Sequence, residues 1–155
     1  MLAAFTVLTQ SDVDRLRERL RLSNDEFNRL TASAKIYDRL KETRQAPDRA
    51  KLKELLYLFG SSACRDGLCL AVSDTSPKTD DSLWIEAADF LADAPTPIFP
   101  IKSSQLIARG IEPGQKLGQA LKLLQNAWIQ AEFPQDPMIL ENLTRQVIEE
   151  ESKTN

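Results

Sequence analysis

"LIARGIEPGQKLGQAL", Leu106 to Leu121, decides how this chain is read: three of its five glycines and a proline separate two apolar runs of helical spacing. Beyond the glycines, Leu117, Leu121, Leu124 and Trp128 recur every three or four residues, the period of a helix with one buried face. Gly110 suits a left-handed position that ends the first helix, and Pro113 presets the backbone with which the second begins. Gly114 and Gly118 stand four apart, on one face of that helix, and neither carries a Cβ, so something can come close to the backbone there. Two occupants fit. A neighbouring helix can pack on the bare face, or a phosphate can settle on the free N–H groups of the helix start, with Arg109, Lys116 and Lys122 adding charge. Two short helices joined by such a turn form a helix-hairpin-helix-like pattern.

The same spacing extends in both directions. Ser11 reads as the N-cap of a helix over 11–21 with Val13, Leu16 and Leu20 inside, which puts Arg15 and Arg19 together on its surface. "SNDE", Ser23 to Glu26, is a capping box, and the helix after it buries Phe27, Leu30, Ala34 and Tyr37 while Arg29, Lys35, Arg39 and Lys41 face outward. Pro47 fits the first position of a third helix, whose Leu52, Leu55, Leu56 and Phe59 stop at a left-handed Gly60. Residues 61–73 are helical with Gly67 as a weak point, and "SDTSPKTDD", Ser73 to Asp81, is an acidic, turn-rich break. Leu83, Trp84, Ala87, Phe90 and Leu91 then make one apolar face before "APTPIFP", where three prolines exclude helix. After the glycine turn the last helix opens at Asp136 and Pro137, and "EEESKTN" frays. The expected fold is all-α: an irregular multi-helix array of a body-like region 1–94, a proline-rich connector 95–102 and a tail-like region 103–155.

Composition narrows the chemistry. The 155 residues suffice for one domain or two small helical lobes, and 28% charged with 42% hydrophobic residues is the balance of a globular chain. No stretch approaches the ~20 apolar residues of a bilayer span, and Met1 to Gln10 lacks the basic flank of a secretory signal, so a cytoplasmic protein is expected. Histidine is absent, which removes the commonest metal ligand and neutral-pH base together. Cys64 and Cys69 are too few for a zinc site and read as small buried helix residues in a reducing compartment. Net charge is −3, but Lys and Arg outnumber Asp and Glu by 12 to 9 over residues 1–60 and by 4 to 2 over 101–135. Two mildly basic segments thus alternate with acidic ones, a pattern that fits ordinary solvated helix faces as well as contact with a polyanion.

Residues 97–133, "PIFPIKSSQLIARGIEPGQKLGQALKLLQNAWIQAEF", resemble the C-terminal part of bacterial CCA-adding enzymes, the tRNA nucleotidyltransferase and poly(A) polymerase family. Phe99, Pro100, Gly110, Ile111, Pro113, Gly114, Gly118, Leu121 and Trp128 fill the places of that pattern. "RLRLSNDEFNRL", Arg19 to Leu30, is similar to the family's body region, and "YDRLKETRQAPDRAKLKELLYLFG" continues it in order. The chain departs at Gln115, where the family often has Pro, and at Ser103 and Gln105, where it often has Gly and Asp; Gln105 lacks the charge with which Asp would cap a helix start.

The resemblance implies a region that binds tRNA rather than one that makes bonds. The family's metal-binding carboxylates and nucleotide-selecting arginine belong to a head and neck whose patterns do not occur here. Asp12 and Asp14 of "SDVD" follow a cap and have no glycine-serine loop before them. No catalytic or metal-binding residue is expected, and Mg²⁺ with CTP or ATP would bind the absent head. The expected RNA phosphate contacts are Arg109, Gly110, Pro113, Gly114, Gln115, Lys116, Gly118 and Lys122, with Arg15, Arg19, Arg39 and Lys41 as a second basic patch. The partners implied are tRNA and the head of the parent chain, with no membrane; CCA versus poly(A) addition and homodimerisation stay open. A helical module that binds protein and has no nucleic-acid role is the alternative.

Overall fold

Side-chain oxygens decide where most of the helices start. In the computed structural model, which describes residues 9–43, 45–74 and 81–153 with backbone alone at 81 and 150–153, α1 (Gln10–Leu20) is capped by Thr9. The Thr9 amide donates to Asp12 Oδ2 at 3.0 Å and the Asp12 amide donates to Thr9 Oγ1 at 3.3 Å. This reciprocal box satisfies two otherwise orphaned donors, so the cap lies two residues before the expected Ser11 and Asp12 is occupied as its partner. In α2 (Asn24–Lys41) the expected box is present: the Glu26 amide donates to Ser23 Oγ at 3.3 Å and the Ser23 amide to Glu26 Oε2 at 2.9 Å. Those bonds, the Ser23 hydroxyl first, hold the Glu26 carboxyl below its ordinary range. For α3 (Arg49–Phe59) the cap is Asp48, whose Oδ1 accepts from the Lys51 amide at 2.8 Å, and Pro47 therefore precedes the cap instead of opening the helix.

Gly60 both ends α3 and starts α4 (Ser61–Ser73). Its φ of 78° is positive as expected, but its ψ of 162° lies outside the left-handed helical well, in a region only glycine enters without strain. The remaining helices are α5 (Asp81–Asp93), α6 (Ser103–Ile107), α7 (Gln115–Gln130) and α8 (Pro137–Lys153). Asp136 opens α8 by accepting the Met138 amide at 2.8 Å. The neutral Gln105 caps after all, its Oε1 accepting the Lys102 amide at 2.9 Å in front of α6. The described residues contain helices and no strand, so the fold is all-α. α8 runs to Lys153 where fraying was expected; residues 154–155 lie outside the described residues, as do 1–8 and, within the acidic break, 75–80.

The chain divides into two units, Met1–Thr96 and Pro97–Asn155, at a point inside the proline-rich connector. In the first, Ile36, Leu52, Leu55, Leu56 and Leu91 are the largest fully buried side chains of a core shared by α2 to α5. Val13 of α1 joins Leu30 and Ala34 of α2 in a smaller cluster. The tightest approach is between α2 and α4 at Gly67, where an added Cβ would stand 2.6 Å from Ile36 Cγ2 and 3.1 Å from the Ser33 carbonyl oxygen. The expected weak point is a packing point. Beside it Arg29 grips Asp66 with two bonds of 2.6 and 2.9 Å, and the Tyr37 hydroxyl donates to Asp74 at 2.9 Å.

Cys64 is buried as expected, and burial pushes its thiol up to about 12. Cys69 is exposed, because each helical residue turns by about 100° and five steps carry it off the buried face. Leu83 likewise leaves the expected apolar face of α5 and is 55% exposed.

The second unit is built on Leu106, Ala120, Leu124 and Val147, contributed by α6, α7 and α8. Trp128 is fully buried; its Nε1–H donates to the Pro134 carbonyl at 2.8 Å, and Phe99 and Phe133 meet its ring edge to face at 5.3 and 4.9 Å. This aromatic cluster, with the Phe-Pro step of the connector in it, holds the far end of α7 and leaves the other end to the glycine turn.

Candidate functional site

The turn is fixed from below and bare above. Leu106 is wholly buried, and the chain leaves α6 by two crossing bonds, Gly110 N–H to Ile107 O at 2.9 Å and Ile111 N–H to Leu106 O at 3.2 Å. This is the Schellman pattern, with Gly110 at the left-handed place (φ 93°) and Ile111 packed back toward the core that holds Leu106. Gly114 (φ 127°, ψ −146°) caps α7, in backbone geometry closed to other residues. The helix therefore starts at Gln115, and Pro113 stands before its cap instead of beginning it.

No side chain caps the N-terminus of α7. The amides of its first turn, around Gln115 to Leu117, have no carbonyl ahead of them to bond, so they face a residue stretch, Glu112 to Lys116, that is exposed throughout. A Cβ built on Gly110, Gly114 or Gly118 would meet nothing within 4 Å. Of the two occupants that fit the Gly114–Gly118 face, a packed helix is not found: no described residue lies against it.

The cations do not all gather on it. Gly114, Gly118 and Lys122 follow at four-residue steps along one flank, and Lys122 is exposed there. Lys116 is also exposed but projects about 160° around the helix from Gly118, beside the uncapped amides rather than over the glycines. Arg109 turns to α8, where its Nη2 is ion-paired with the Glu141 carboxylate. Glu141 is the residue the sequence does not announce, being 32 positions away with no local pattern to link the two.

The second basic patch is largely neutralised by its own neighbours. Arg15 and Arg19 line one surface pocket with Asp12 and Leu16, and Arg15 is ion-paired with Asp12. On α2, Arg39 lies 3.7 Å from Glu54 and over the Phe59 ring, and Lys41 bonds Asp38, which raises its pKa. Three of the four residues thus hold a carboxylate. Among the described residues no three His, Cys, Asp or Glu come together as a metal would need, and no helix is long and apolar enough to cross a membrane. No protein-family model, curated protein or solved structure matches the chain.

Proposed function

We propose that this chain is the C-terminal body and tail region of a tRNA nucleotidyltransferase and that it holds tRNA by its backbone phosphates for CCA addition by a separate head domain. What carries the reading is the open turn: uncapped amides at the start of a 16-residue helix with Lys116 exposed beside them, and glycines with clear space above them and Lys122 exposed on their flank. The resemblance of residues 97–133 to the CCA-adding enzymes supplies the ligand. An RNA duplex is recognised mainly by shape and phosphate, which amide donors and lysines can meet without reading a base.

The work is positioning. A tRNA held by its body keeps the 3′ end in place for the head, so the local concentration of that end is raised without any bond being made by these residues. Mg²⁺ and the incoming CTP or ATP belong, on this reading, to the head. With so few cations, affinity for the chain alone is weak and falls steeply with salt.

Fluorescence anisotropy of labelled tRNA against the full chain, repeated across a salt series, tests this. Lys116→Glu is expected to weaken binding about tenfold at low salt and to lower the slope of log affinity against log salt by about one. A titration unchanged by that substitution removes the turn from the proposal. Ile98 and Met138, 78% and 77% exposed, favour a second reading, a surface for protein or for a second copy of the chain. Salt-insensitive self-association with no tRNA binding would select it.

A further inference from the structure

Arg109 adjoins the glycine turn, yet its guanidinium is held by a carboxylate of another helix. Glu141 lies in the second turn of α8 and its side chain is half exposed, that of Arg109 a little over a third, so water and solutes reach the pair from outside. Such a pair is worth little by itself, since both groups stay well solvated. A phosphodiester likewise offers two anionic oxygens to the planar guanidinium fork. The two anions therefore compete for one cation at nearly balanced free energy.

We propose that Glu141 is a resident counter-anion that occupies Arg109 until RNA phosphate displaces it, an autoinhibitory contact that sets the threshold affinity of the turn. The inference rests on the RNA contact proposed above. In the free chain, Arg109 contributes little attraction because its charge is already matched, and the turn is tied to α8 through the pair. When phosphate arrives at the α7 amides, Arg109 swings from carboxylate to phosphate and Glu141 is left to solvent, which its exposure permits at small cost. Charged residues near the pair along the chain include Glu112 in the turn, Lys116 at the start of α7, and Arg145, four residues beyond Glu141 on α8. A weak grip that tightens only on a correctly placed backbone suits a region that must release tRNA after each round.

A double-mutant cycle on tRNA binding by the full chain, at low salt, reads the gate. Glu141→Gln is expected to tighten binding about two- to fivefold, the range one exposed ion pair can supply. Arg109→Gln is expected to weaken binding in the wild-type background and to cost about two- to fivefold more in the Glu141→Gln background, where it cancels the gain. Because removal of a negative charge attracts any polyanion at long range, equal costs of Arg109→Gln in both backgrounds would overturn the gate, as would weaker binding by Glu141→Gln. Lys116→Glu is measured alongside. If it weakens binding while the cycle is additive, the gate fails and the RNA-binding turn stands; if it has no effect, the turn itself has failed.

Discussion

Two helical glycines with the same local appearance do opposite things in the two units. Gly67 in α4 is buried with Ile36 pressed on it, whereas Gly118 in α7 faces open space. The missing Cβ lets α2 and α4 approach each other in one case and uncovers a helix flank in the other. A glycine in a helix is costly by about 1 kcal/mol relative to alanine, so each position needs a compensating use. For Gly67 that use is packing. For Gly118 no described residue packs against it, and contact with a ligand is the use we propose.

The comparison can be broken most sharply at Gly67. Gly67→Ala places a methyl 2.7 Å from Ile36 Cβ and close to a backbone oxygen, neither of which can swing aside. The overpacking should cost about 2 kcal/mol net of the helix-propensity gain, read as a lower urea midpoint, and Ile36→Ala, itself destabilising, should cost less in the Gly67→Ala background than in the parent. A Gly67→Ala chain as stable as the parent would refute the close approach. Next in size is Ser23→Ala, which removes one half of a capping box and should cost about 1 kcal/mol at neutral pH.

Smaller gains are expected in the second unit. Gly118→Ala meets no atom and should stabilise by about 0.5–1 kcal/mol, while weakening tRNA binding if the backbone there is approached closely. The same chain-reversal bonds that close α6 at Gly110 close α7 at Glu132, with Glu132 N–H to Ile129 O and Phe133 N–H to Trp128 O both at 3.0 Å. At that second turn a glutamate, φ 61°, takes the place glycine holds in the first. Glu132→Gly should therefore raise stability by about 0.5 kcal/mol, measured as a small rise in Tm. The last effect depends on pH. Glu26 has its folded-state pKa depressed by the Ser23 bonds, so its contribution is present above the ordinary carboxylate pKa and is lost as pH falls through the folded value. Acid unfolding of Ser23→Ala should accordingly show a flatter dependence on pH below about 4.5.

What could be read from sequence was whatever is decided within four residues. The "SNDE" box, the Asp136 start of α8, the all-α pattern and the left-handed Gly110 are local hydrogen-bond chemistry and stand as expected. Thr9 and Asp48 displaced the expected starts because a better-placed side-chain cap wins over a serine or proline nearby, whereas at α7 the backbone geometry of Gly114 moves the start past Pro113. The roles of Gly67 and Gly118 were not legible, since they depend on which helix lies alongside. Nor was the Arg109–Glu141 pair, because two exposed charges 32 residues apart meet only through the packing of α7 on α8.

The most direct test of the central claim is to follow backbone amide resonances of the chain while tRNA is added. The account expects Gln115, Lys116 and Leu117 to shift early and together, with Gly118 beside them and the buried Gly67 unmoved. Binding of tRNA that leaves the first turn of α7 silent would contradict it.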